Sequence, residues 1–160
     1  MGQTGVSSSS SSDYNILHSQ GHLKRIQHKS DGTKHTLVTV NSGPSANNLS
    51  TRLERREHPP SFLTHMQRHE KKSEGDYCGK KERCEVLFEE SWPTLDEYLR
   101  LRRMQGKEFE TEEVESVIRA GVMGLREVRE MGEEHGAVDL DSIVIGKRQV
   151  MLKDPMIVDE

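Results

Sequence analysis

Read along its length, the chain alternates short apolar clusters with long polar stretches, and the spacing within each cluster predicts an element. Tyr14-Asn15-Ile16-Leu17 and the β-branched run Thr36-Leu37-Val38-Thr39-Val40 predict two strands about a turn at Ser30-Asp31-Gly32-Thr33, with Gly43-Pro44 bounding the second. Leu49 and Leu53, one helical turn apart, predict a short helix over 47–57, capped by Asn47 or Asn48 and ended by His58-Pro59-Pro60. Phe62, Leu63 and Met66 form a further apolar patch. Residues 70–83 are charged and turn-rich, the pattern of a solvent loop, before Cys84-Glu85-Val86-Leu87-Phe88 reads as a short strand.

After Ser91-Trp92-Pro93 the period becomes helical. Thr94 with Glu97 three residues on is a capping box, and Leu95, Leu99 and Leu101 form the expected buried side. Thr111 is the expected cap of a longer helix, in which Val114, Val117, Ile118, Gly121, Val122, Leu125 and Val128 recur at three- and four-residue steps up to Gly132. Two apolar triplets, Ile143-Val144-Ile145 and Val150-Met151-Leu152, then flank the polar turn Gly146-Lys147-Arg148-Gln149, predicting a hairpin.

Composition thins this picture. Of 160 residues only 31% are hydrophobic and 4% aromatic, against 31% charged, so the core is small. Residues 1–13, with the serine run Ser7 to Ser12, have almost nothing to bury and are expected to be a disordered tail. The net charge of −4 is split, with +6 on residues 14–84, −9 on residues 85–160 and the remaining −1 on Asp13. Without interleaved aromatics, the basic half does not suggest a nucleic-acid partner. No run has the length of a membrane span and no signal-peptide core opens the chain, so a cytoplasmic or otherwise intracellular protein is expected. Cys78 and Cys84 alone give no disulfide framework and no expectation of a disulfide-linked partner.

The stretch from His135 to Met156 carries the most chemistry. A His opens it, followed by Gly136-Ala137-Val138-Asp139-Leu140, and Asp154-Pro155-Met156 closes it after the hairpin. Upstream, Glu85-Val86-Leu87-Phe88-Glu89-Glu90 leads to Thr94-Leu95-Asp96-Glu97-Tyr98-Leu99, and Gly124-Leu125-Arg126-Glu127-Val128 ends the long helix. In order and spacing these pieces resemble the eukaryotic protein kinase family, whose catalytic loop His-Arg-Asp and metal-binding Asp-Phe-Gly flank such a hairpin. The resemblance implies an α+β, protein-kinase-like fold: a small β-rich lobe with one helix over 14–90, and the first helices and catalytic-loop hairpin of a large lobe over 91–160. Because the sequence ends six residues after Asp154, it also implies a truncated domain.

The same resemblance implies that the site is degenerate. Ala137 stands at the proton-accepting Asp, Gly136 at the neighbouring Arg, Asp139 at the Lys and Ser142 at the metal-binding Asn; Asp154 keeps the metal-binding identity. Phe88 takes the gatekeeper slot and Glu89 the first hinge slot. No Gly-x-Gly-x-x-Gly occurs near Ser19-Gln20-Gly21-His22. The ATP-contacting Lys slot falls on Val40 or Asn41, and that of its carboxylate partner near Leu49 or Ser50. Losing a positioned carboxylate removes orientation and charge stabilisation from phosphoryl transfer. The expected function is therefore a catalytically inactive pseudokinase fragment that binds another protein, with no cofactor. The alternative is a divergent Ser/Thr kinase that retains Mg-ATP binding through Asp154 and needs sequence beyond this chain.

A different chemistry remains open on other residues. His65 and His69 at i, i+4 on a helix share a face, and with Cys78 and Cys84 they could hold a structural zinc, although His-x3-His-x8-Cys-x5-Cys is not a standard spacing. The acidic residues Glu130, Glu133, Glu134, Asp139 and Asp141 read as a solvated face.

Overall fold

The computed structural model describes residues 13–41, 43–56, 58–76, 79–90 and 92–158, which form an α+β fold. The serine run and Cys78 lie outside them. In chain order the elements are β1 (Tyr14–Gln20), β2 (Leu23–His28), β3 (Lys34–Val40), α1 (Gly43–Glu54), β4 (Met66–Asp76), β5 (Gly79–Glu90), α2 (Leu95–Met104), α3 (Thr111–Glu130), β6 (Ile143–Ile145), β7 (Val150–Leu152) and a final 3-10 turn (Pro155–Ile157). The first five strands make one antiparallel sheet in the order β1-β2-β3-β5-β4, and β6 and β7 pair as a separate hairpin. Among the described residues no helix is long and apolar enough to cross a membrane.

The sheet buries both of its faces, and this hid β2 from the sequence pattern. Leu23 and Ile26 are three residues apart, so a strand sends them to opposite sides. Leu23 packs with Val38, Val40, Val86 and Phe88 under α1, while Ile26 joins Leu37 and Leu87 on the other face. Neither face alternates cleanly within six residues.

The expected loop over residues 70–83 is instead most of the longest hairpin in the fold. The register runs from Met66 opposite Phe88 to Asp76 opposite Gly79, and places Glu74 opposite Lys81. Beyond the core this ribbon is held by the backbone ladder, which needs no apolar side chains and leaves no hydrophobic period to read. It also puts His69 on a strand, with His65 just before it, and not on a helix.

The helices start close to where their caps predict. The Thr94 hydroxyl accepts from the Glu97 N–H at 3.2 Å. Helix α3 begins one residue earlier than expected, with Glu110 as its cap in a reciprocal capping box with Glu113. Helix α1 begins at Gly43, ahead of the asparagines, and buries Leu49 with Leu53 against the sheet.

The buried sides of α2 and α3 differ from expectation. Leu101 is exposed. On α3 the buried residues are Ala120, Gly124 and Val128, while Val114, Ile118, Val122 and Leu125 face outward. Gly124 decides this orientation: a Cβ there would lie 2.8 Å from the Cβ of Leu152, so the helix backbone rests directly on β7. The Glu127 carboxylate fastens the same side by accepting from the Ser61 and Phe62 N–H groups, both at 2.6 Å. Leu63, Leu95, Val128, Ile143 and Leu152 form this second core.

Candidate functional site

The segment from Leu152 to Ile157 joins the two cores. Leu152 belongs to the core beneath α3, whereas Met156 and Ile157 insert into the core beneath the sheet. The adjoining strand is aligned by the segment 62–64, through Leu152 N–H to Phe62 O at 2.8 Å and Thr64 N–H to Leu152 O at 2.9 Å. Asp154 stands between the cores, with no exposed surface.

Every part of Asp154 is engaged. Its N–H donates to the Thr64 hydroxyl at 2.9 Å, and its Oδ1 accepts from the Met156 N–H at 3.0 Å, capping the 3-10 turn. Arg56, just past the end of α1, donates to both carboxylate oxygens: Nη1 to Oδ2 at 2.5 Å and Nη2 to Oδ1 at 2.9 Å. This is the bidentate geometry that a planar guanidinium makes with a carboxylate. Arg56 Nη2 also donates to Glu133 Oε2 at 3.2 Å, and Arg52, on the last turn of α1, pairs with the other Glu133 oxygen. Burial pushes the Arg56 guanidinium pKa down, but hydrogen bonds to Asp154 and the charges of Asp154 and Glu133 outweigh it, and the net direction is upward.

Glu133 thus belongs to a buried network and departs from the expected solvated acidic face; its side chain is only 9% exposed. The sequence offered a faint signal for this. Arg52 and Arg56 are one helical turn apart beside the buried pair Leu49 and Leu53, a position from which long cations reach along the rim of a core.

The remaining loop residues are placed as follows. His135 is buried, and its Nε2–H donates to the Lys153 carbonyl at 2.8 Å, while Nδ1 has no hydrogen-bond partner. Gly136 is exposed with φ of 83°, the left-handed region that favours glycine. Ala137 is half-buried. Ser142 is buried in a local turn: its hydroxyl accepts from the Asp139 N–H at 2.8 Å and donates to the Asp139 carbonyl at 2.9 Å. Ala137, Asp139, Asp141, Ser142 and Lys153 line one small depression, and Asp154 lines neither it nor the larger cleft nearby.

That cleft, of about 320 Å³, lies between the sheet and the hairpin, with Leu23, Thr36, Phe88, Trp92, Val144 and Lys153 among its walls. Phe88 and Glu89 sit at its edge, at the end of β5. One backbone group of each has a side-chain or loop partner: the Phe88 carbonyl accepts from His35 Nδ1 at 3.0 Å and the Glu89 N–H donates to the His65 carbonyl at 2.8 Å. At the slots named for the nucleotide lysine and its partner, Val40 and Leu49 are buried apolar residues; Lys34 is exposed at the start of β3.

These residues do not fit a magnesium–phosphate group. A cation needs free oxygen donors, but both oxygens of Asp154 are held by a guanidinium and the Ser142 hydroxyl is spent on its own turn. The zinc ligand set fares no better within the described residues. Cys84 packs in the core, where burial pushes its thiol up, opposite to the thiolate that zinc requires. His69 is exposed on β4, and His65 lies 3.6 Å from Glu89. No group of three or more His, Cys, Asp or Glu side chains among the described residues is arranged to hold a metal. Comparison with protein-family models and with curated proteins finds no match to the chain.

Proposed function

We propose that the chain is a protein-kinase-like domain that has lost phosphoryl transfer and works by binding another protein. Support comes from the succession of a small sheet with one helix, two further helices and a hairpin, together with Ala137 and Ser142 at the acid–base and metal positions of the resemblance. One observation carries the proposal. Asp154, the single residue that keeps its catalytic identity, is consumed by Arg56 in a buried ion pair that fastens α1 to the hairpin. A guanidinium occupies the oxygens a magnesium ion would need, and displacing it would leave Arg56 buried without its partner.

The test is nucleotide binding and transfer by the full chain. Ligand held only by the folded state raises its stability, by about 2.7 kcal/mol at a hundredfold excess over Kd. The melting temperature is expected to be unchanged by millimolar Mg-ATP, and no radiolabelled phosphate should reach a generic protein substrate. Transfer that Asp154→Asn removes would overturn the proposal in favour of a divergent Ser/Thr kinase.

A further inference from the structure

The sheet face turned away from α1 holds a polar network remote from Asp154. His35, on β3, is 8% exposed and lies opposite Ile26 in the register. Its Nδ1 is 3.0 Å from the Phe88 carbonyl oxygen, and its Nε2 is 3.2 Å from the Thr33 hydroxyl. That hydroxyl is also 2.7 Å from Asp31 Oδ1, which accepts from the Thr33 N–H at 2.9 Å as well. The Asp31 carboxyl is exposed, and the Thr33 hydroxyl, followed by the Thr33 N–H, holds it below its ordinary value.

The Thr33 hydroxyl has one hydrogen and two neighbours that can take it. A carbonyl oxygen only accepts, so Nδ1 keeps its hydrogen in either charge state, and Nε2 is the atom that exchanges a proton with water. We infer that the Thr33 hydroxyl is a proton-driven switch that passes the charge state of buried His35 to the surface carboxylate of Asp31. When Nε2 carries a proton it donates to Thr33 Oγ1, and the hydroxyl hydrogen goes to Asp31. When Nε2 is bare it accepts that hydrogen, and Asp31 keeps only the Thr33 N–H.

The charged form holds one hydrogen bond more than the neutral one. The turn between β2 and β3 is therefore tight below the range in which imidazoles titrate, and it loosens as pH rises through that range. At the acid end it holds until Asp31 itself takes up a proton. The bond to Phe88 is present in both forms, so the end of β5 beside the cleft stays fixed while the turn changes. Other ionisable groups surround the network. The His28 ring on β2 meets His35 edge-on with centroids 4.9 Å apart, and Tyr14 on β1 meets His28 in turn. On β5, Glu90 is opposite His35 in the register, and the exposed Lys29 and Lys34 flank the turn. His28 is an imidazole close enough to imitate the switch, so the test must separate the two.

NMR of the isotope-labelled full chain from about pH 5 to about pH 8.5 reads both ends of the switch. The Asp31 carboxyl carbon should show a step in this range, although its own titration lies below it, and the step should share its midpoint with His35 Nε2. Thr33→Val keeps the side-chain shape without the hydroxyl and should shrink the Asp31 step at least about threefold while His35 still titrates. Thr33→Ser and His28→Phe should both keep the step. Protection of the Thr33 amide from hydrogen exchange should fall about threefold across it in the parent, as for the loss of one neutral hydrogen bond. Coupling is reciprocal, so Asp31→Asn, at an exposed position, should weaken the hold of His35 on its proton about threefold. An Asp31 carbon that stays flat, or that steps at a different midpoint from His35, overturns the inference. A step unchanged in Thr33→Val, a step lost in His28→Phe, or a His35 titration unmoved by Asp31→Asn overturns it equally.

Discussion

The hairpin β6–β7 is held at two places by different physics. Beneath α3 the contact is apolar and close: Gly124 lets the helix backbone rest on Leu152, and Leu63 fills the space beside them. At the other end, where Asp154 turns toward the sheet, Arg56 supplies a buried bidentate pair and Glu133 extends it to Arg52. Apolar contacts weaken in proportion to the surface and volume removed. A buried ion pair behaves differently, because deleting one partner leaves the other charged and unsolvated. The position that the kinase resemblance assigns to a metal ligand is therefore one at which a single change is expected to cost more than at the apolar contact.

The sharpest way to break the contrast is Arg56→Ala, which strands Asp154 in a site with no exposed surface. We expect a loss of about 3–5 kcal/mol in urea unfolding. At the apolar contact, Gly124→Ala forces a methyl group against the Leu152 Cβ. Overpacking of about 1–3 kcal/mol is partly offset by the better helix propensity of alanine, leaving a net loss of about 1 kcal/mol. Gly121→Ala, on the open side of the same helix, should instead gain up to about 1 kcal/mol, and equal effects at the two glycines would contradict the close approach.

The smallest effect belongs to a surface pair remote from both junctions. The Tyr98 hydroxyl donates to Glu113 Oε2 at 2.7 Å, and this bond holds the Glu113 carboxyl below its ordinary value. A lowered folded-state pKa contributes stability above the unfolded value and loses it as pH falls through the folded one. Tyr98→Phe should move the Glu113 titration, followed by NMR, upward toward the usual carboxylate range, with the midpoint of urea unfolding at neutral pH nearly unchanged.

The legible parts of the fold were those with a dense β-branched run, a cap, or apolar triplets about a polar turn: β3, the Thr94 cap of α2 and the β6–β7 hairpin. Strand β2 was hidden because Leu23 and Ile26 serve opposite faces, and the β4–β5 ribbon because backbone pairing leaves no mark on side-chain polarity. The orientation of α3 was misjudged because its small buried residues, Ala120 and Gly124, carry little hydrophobic signal beside Ile118 and Val122. At the site, spacing named Ala137, Ser142 and Asp154, and the structure sets Asp154 apart from the depression that the other two line. Spacing could not name Arg56 or Glu133, since Arg56 lies 98 residues from Asp154 and Glu133 joins the network only through Arg56 and Arg52.

The most direct measurement of the account is a double-mutant cycle on Arg56→Met and Asp154→Leu, followed by urea unfolding. Each single variant should lose about 3–5 kcal/mol, and the double variant should recover much of that, with coupling of at least about 2 kcal/mol. Losses that simply add, or an Asp154→Leu chain as stable as the parent, would contradict the assignment of Asp154 to a buried structural pair.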